Sequence, residues 1–211
     1  MNVNIRRLHS LLSGLIFAAL LIFPLPGYAD LMIPMTTIGD PGEGGVDYVY
    51  SIGTYEVTVA QYAEFLNAVA ASDPYGLYSE SMGSGGSYSQ PCITQSGEDG
   101  SYTYTVVSGT ESQPIRFVSF YDAARFCNWL SNGQGNGDTE YGSYDLSEGV
   151  SMLRLTNATW VVPTEEEWIK AGYYDAENDV FYIYPDGTDD VPEEPTDGTS
   201  TREFNFGDDP Y

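Results

Sequence analysis

Two cysteines, a run of three glutamates and a crowd of carboxylates near the C-terminus are the residues of this 211-residue sequence whose types could support chemistry. Cys92 and Cys127 offer thiols, which as thiolates are nucleophiles, redox centres or ligands for soft metals. Glu165-Glu166-Glu167 has the look of an acid–base set. Asp186, Asp189, Asp190, Glu193, Glu194, Asp197, Glu203, Asp208 and Asp209 gather hard oxygen donors of the kind calcium prefers, with only Arg202 to oppose them. The single histidine is His9, so no imidazole occurs from Asp30 onward. That closes Ser-His-Asp and Cys-His catalysis and any zinc site built on imidazole.

Each of these has a structural use as well. Glu165-Glu166-Glu167 follows Pro163-Thr164, and acidic residues in a first helical turn oppose the positive end of the helix dipole, which is their commoner role. Cys127 sits on the apolar side of Phe120-Tyr121-Asp122-Ala123-Ala124-Arg125-Phe126-Cys127-Asn128-Trp129-Leu130, where a cysteine serves as a small buried hydrophobe. A bridge between Cys92 and Cys127 is the other possibility in an exported chain. The acidic stretch from 186 to 200 reads as a solvated loop, since Asp186-Gly187-Thr188-Asp189-Asp190 does not fit an EF-hand. Asn132-Gly133-Gln134-Gly135-Asn136-Gly137 also lacks the opening Asp and closing Glu of that loop.

Three helices and a set of short strands must position these groups. Thr58 and Gln61 make a capping box ahead of Val59, Tyr62, Phe65, Leu66, Val69 and Ala70, which predicts a helix over about 59–71 before Ser72-Asp73-Pro74. Ser119 opens a second over 120–131, with Asp122 in its first turn, an apolar face of Ala123, Phe126, Cys127 and Leu130, and Asn132-Gly133 as its stop. Thr164 and Glu167 box the third, over 164–172, with Trp168 and Ala171 facing inward. Phe65, Leu66, Phe126, Leu130 and Trp168 are the expected core. Alternation marks strands at 48–52, 102–106, 115–118, 160–162 and 180–183, and Gly- and Ser-rich gaps separate them, notably 83–87 and 133–137. The expected class is α+β, irregular and loop-rich, in one domain over 30–211.

Residues 1–29 read as an export signal. Arg6 and Arg7 precede an apolar run from Leu11 to Phe23, and Gly27 and Ala29 stand at −3 and −1 of a cut before Asp30. That run of roughly 13 residues falls short of the ~20 that cross a bilayer, so no membrane anchor is expected after cleavage. The protein then works in a secreted, periplasmic or cell-surface setting. With 7 Lys+Arg against 31 Asp+Glu, and two of the seven in the signal, the formal charge of -24 excludes nucleic acid and anionic membrane as partners.

Taken together, three stretches are specific. They are Tyr55-Glu56-Val57-Thr58-Val59-Ala60-Gln61-Tyr62, then Pro114-Ile115-Arg116-Phe117-Val118-Ser119-Phe120-Tyr121-Asp122-Ala123-Ala124-Arg125-Phe126-Cys127-Asn128-Trp129, then Val162-Pro163-Thr164-Glu165-Glu166-Glu167-Trp168. In that order they resemble the E-V-T-x-x-Q-Y, V-S-W-x-D-A-x-x-F-C-x-W and L-P-T-E-x-E-W motifs of the formylglycine-generating enzymes, or sulfatase-modifying factors. Tyr184-Pro185-Asp186-Gly187 stands where that family has Y-P-W-G.

The resemblance implies an α+β fold related to C-type lectins. It also implies descent from enzymes that oxidise a sulfatase cysteine to formylglycine with oxygen, on copper held by two cysteines. The family's copper-binding cysteines lie beyond G-N-V-W-E-W- and R-G-G-S-W-like motifs that have no counterpart here, so the likeness covers the front part of the family domain and stops with Tyr211. Copper would then require a segment that this sequence does not contain, and Cys92 and Cys127 inherit no catalytic role. Asn205-Phe206 stands where the family has an A-N-x triplet that helps to hold a structural calcium. The expected function is an exported domain of this type, non-catalytic as this chain; the alternative is a lectin-like module binding an extracellular glycan or protein, for which aromatic faces and carboxylates are suitable groups.

Overall fold

The computed structural model describes residues 31–86, 90–147 and 153–191. Residues 1–29, read above as an export signal, and Asn205 and Phe206 lie outside them. Within them the chain is α+β. Four helices, α1 (Val59–Val69), α2 (Glu80–Ser84), α3 (Phe120–Ser131) and α4 (Glu165–Tyr173), are set among three two-stranded antiparallel ribbons. The ribbons pair β1 (Met35–Ile38) with β2 (Tyr50–Gly53), β3 (Ile93–Ser96) with β4 (Thr103–Val106), and β5 (Tyr174–Asp175) with β6 (Val180–Phe181). No helix among the described residues is long and apolar enough to cross a membrane.

Local chemistry starts the three long helices as the sequence predicts. Thr58–Gln61, Ser119–Asp122 and Thr164–Glu167 each form a reciprocal capping box, so that two otherwise unpaired backbone N–H groups are satisfied at each helix start. The first helix stops at Val69, two residues earlier than its apolar pattern suggests.

The main core joins α1 to α3 through rings in edge-to-face and tilted contact. Phe65 has its centroid 5.3 Å from both Phe126 and Trp129, and 5.5 Å from Tyr62. Two side-chain amides, Asn67 on the exposed side of α1 and Asn128 inside, tie neighbouring segments to this core. Asn67 donates to the Tyr104 carbonyl at 2.8 Å and accepts from the Tyr104 N–H at 2.9 Å, which fastens α1 to β4. Asn128, fully buried, donates to the carbonyls of Thr139 and Tyr144 and accepts from the Tyr144 N–H. A second cluster of Ala124, Cys127, Tyr144 and Leu146 lies on the other side of α3.

Of the five expected core residues, Phe65, Leu66, Phe126 and Leu130 are buried, whereas Trp168 is 54% exposed. The reason is electrostatic. Helix α4 turns Glu167 and Lys170 inward, three residues apart on one face, because each finds a fixed partner there, and Trp168 is thereby carried outward. Lys170 buries its stem and donates Nζ to the Asp40 carbonyl on the 3-10 turn Glu43–Gly45's approach segment. Gly44, at φ 60, lets that turn close onto α4; a Cβ there would meet the Phe181 ring at 2.9 Å and Lys170 Cβ at 3.3 Å.

Two expected strands do not form. At 160–162 the backbone donors go to side chains instead of a neighbouring strand, Trp160 N–H to Ser131 Oγ and Val162 N–H to Tyr144 Oη. At 115–118 the chain is interrupted by Phe117, which has φ 63 although aromatic residues avoid the left-handed region. The remaining three strands are shorter than predicted, and β1, β3, β5 and α2 go unsignalled by alternation. Helix α2 occupies part of the 83–87 stretch read as a loop. Relief of the Phe117 strain gives a direct check: Phe117→Asn is expected to stabilise the fold by about 1 kcal/mol, read as a raised urea midpoint, because Asn tolerates this conformation. The ring is 40% exposed, which limits what its loss removes.

Candidate functional site

The thiols are the first groups to locate. Cys127 lies in the middle of α3, inside the second cluster, and burial pushes its thiol up to about 12, so it is a neutral S–H at neutral pH. Cys92 is fully buried in the main core. Its backbone is a junction, donating to the Met82 carbonyl and accepting from Val107 N–H and Thr110 Oγ1. Both thiols are free, so the bridge between them does not form. A copper ion of the kind the resemblance implies needs two exposed thiolates converging on one point. These residues do not fit it, because one thiol belongs to each core cluster.

Glu167 is the most highly engaged of the three glutamates. Its Oε1 accepts from Arg154 Nη1 at 2.8 Å and from the Tyr48 hydroxyl at 2.6 Å, while Oε2 accepts from Arg154 Nη2 at 2.5 Å and from Thr164 N–H at 2.7 Å. Arg154 Nη2 also donates to the Val162 carbonyl, and the Tyr50 hydroxyl donates to the Glu167 carbonyl. The Arg154 guanidinium, aided by the other donors, holds the Glu167 carboxyl down to about 2. An acid with every lone pair engaged and so low a proton affinity is a fastener, not a general base. It joins the start of β2, the segment carrying Arg154, and α4 at one point. Glu165 and Glu166 are exposed in the first turn and stabilise it as expected.

Sequence reasoning anticipated Glu167 as a cap and missed Arg154. The available signal was scarcity: only five basic residues occur from Asp30 onward, and Arg154 stands between two leucines. A second such pair is Arg125 with Glu140, bidentate at 2.7 and 2.9 Å, where the guanidinium also lies 4.3 Å from the Tyr75 ring.

The C-terminal end of α4 and the ribbon after it form an open cleft of about 390 Å³. Tyr173, Tyr174, Asp175, Glu177, Tyr182 and Asp186 line it, together with small residues. Its shape is held by short turns. Asp175 accepts from Glu177 N–H and from both nitrogens of Asn178, and Asp186 accepts from Thr188 N–H and Oγ1. Of the expected acidic cluster, Asp186 lines this cleft. Among the described residues no three of His, Cys, Asp and Glu stand close enough together to hold a metal ion. Asn205 and Phe206, which the resemblance assigns to calcium, lie outside the described residues.

Compared with known families, residues 46–204 match the family described as "Sulfatase-modifying factor enzyme 1-like domain". Searches of curated proteins and of solved structures each return no match.

Proposed function

The chain belongs to the sulfatase-modifying factor enzyme 1-like domain family, and we propose that it is an exported protein whose 30–211 segment does not itself generate formylglycine. One observation carries this reading. The only two thiols are buried in different core clusters, and Cys127 is protonated at neutral pH. Thiol oxidation begins with a thiolate that can be reached. Neither sulfur offers one, and with no histidine after Asp30 no ordinary base near neutral pH stands by to create one.

The test uses exported material, with intact mass beginning at Asp30, incubated with a sulfatase-derived cysteine peptide with and without copper. No turnover above a no-protein control is expected. Turnover that disappears in Cys92→Ser or Cys127→Ser would reverse the reading.

The cleft beside α4 favours a second role for the same domain, as an extracellular binding module. It presents aromatic and acidic groups together in a preformed concavity, which is the make-up of a recognition site.

A further inference from the structure

We propose that Asn136 is a site at which the chain modifies itself: its side chain closes onto Gly137 and is converted by water to isoaspartate, which releases the contacts that loop 134–137 makes with Leu31 and Trp129.

The glycine-rich stretch 132–137 holds two Asn-Gly pairs, Asn132-Gly133 and Asn136-Gly137. Glycine leaves the backbone nitrogen after each asparagine unshielded and free to swing toward the side chain. The structure separates the two pairs. Asn132 donates Nδ2 to the carbonyls of Asp138 and Tyr141, both at 2.7 Å, so it cannot turn back on the chain without breaking two hydrogen bonds. Asn136 is exposed, and its side-chain amide is bonded to none of the described residues. The restraint on this pair is the Gly137 N–H on the Gln134 carbonyl at 3.0 Å. That bond closes a turn which Gln134 enters at φ 63, a region that residues with side chains avoid, so strain favours its opening.

The chemistry needs only water, with hydroxide as the base. The Gly137 nitrogen gives up its proton and bonds to Asn136 Cγ, the Cγ–Nδ2 bond breaks, and the amide nitrogen leaves with a proton as ammonia. Water then opens the five-membered imide. Breaking the imide bond to the backbone carbonyl leaves the chain running through Cβ and Cγ, which is isoaspartate; breaking the other gives aspartate.

Two contacts make the inserted backbone atom matter. Gln134 clamps Leu31 through both groups of its amide, accepting from the Leu31 N–H at 2.6 Å and donating to the Leu31 carbonyl at 3.1 Å, and Leu31 packs on the main core. The Gly135 carbonyl accepts from Trp129 Nε1 at 2.8 Å, which satisfies the indole of a core ring. Gln134 and Gly135 both lie inside the turn whose closing bond spans the lengthened link.

The experiment ages the purified protein at mildly alkaline pH beside the free peptide spanning 133–138. Peptide mapping with isoaspartate-specific fragmentation follows the chemistry, and amide and indole NMR follows the structure. Isoaspartate is expected at Asn136, with conversion at Asn132 at least about tenfold slower because two hydrogen bonds must break first. The rate at Asn136 should rise with pH, since the attacking nitrogen must lose its proton. In the modified fraction the Trp129 indole and Leu31 amide signals should shift. Asn136→Gln should suppress the conversion and keep both signals. Asn136→Asp carries the new charge without the inserted atom and should keep them too, which separates charge from backbone insertion. An Asn136 that stays intact after the free peptide has converted, equal rates at Asn132 and Asn136, or conversion that leaves the Trp129 and Leu31 signals in place would overturn the proposal.

Discussion

Glu167→Gln is expected to lower the stability of the 30–211 polypeptide by about 3 kcal/mol at neutral pH, because it leaves the Arg154 guanidinium half-buried without its counter-charge. The glutamine can keep some hydrogen bonds but loses one acceptor oxygen, so Arg154, Tyr48 and Thr164 compete for the other. Urea unfolding of Glu167→Gln, Arg154→Met and the double variant measures this. The double variant should be less destabilised than the sum of the singles, since the second substitution removes a charge already stranded. The same pair sets an acid dependence whose sign follows from a carboxyl depressed from 4.5 to about 2. Its contribution is complete above about 4.5 and is lost as pH falls toward 2, because only the unfolded chain takes up the proton over that window. Wild type should therefore lose stability through that range more steeply than Glu167→Gln. Parallel acid profiles for the two proteins would show that the ion pair carries no folding free energy.

The parts of this fold that were legible in sequence are those decided within four residues. A capping box is a contact between positions i and i+3, so Thr58-Gln61, Ser119-Asp122 and Thr164-Glu167 announce three helix starts without reference to the rest of the chain. The strands are two to four residues long and pair only in twos, which leaves alternation too short to fix a register. Trp160-Val161-Val162 alternates in the right way but meets Ser131 and Tyr144 side chains, partners that no local pattern encodes. Site legibility divides in the same manner. Cys127 on an apolar helical face is a local statement and it is buried as expected, whereas the Arg154–Glu167 pair spans 13 residues and ties in Tyr48, which is 119 residues from Glu167. The cleft depends on how the ribbon β5–β6 and the 182–187 turn fold back past α4, and Tyr173, Tyr182 and Glu177 carry no motif that marks them.

Phe65→Ala should cost ~3–5 kcal/mol, the range for removing a fully buried aromatic ring from a core that cannot close over the void. The surroundings favour the upper part of that range. Phe65 touches the rings of Tyr62, Phe126 and Trp129, which are themselves held, Tyr62 by its hydroxyl on the Leu77 carbonyl and Trp129 by Nε1 on the Gly135 carbonyl. Rings so anchored relax little into a vacated site. Trp168→Ala is the informative partner measurement, because periodicity alone assigns both residues to the core. With Glu167 and Lys170 facing inward, Trp168 is more than half exposed, and removing its ring, with the contact to Tyr173, should cost no more than about 1 kcal/mol. Denaturant midpoints of the two variants at a common slope separate the cases. Equal losses would mean that α4 is rotated toward its apolar residues and that the Glu167 and Lys170 contacts do not set its facing; a small loss for Phe65→Ala would mean that α1 and α3 do not meet through this ring.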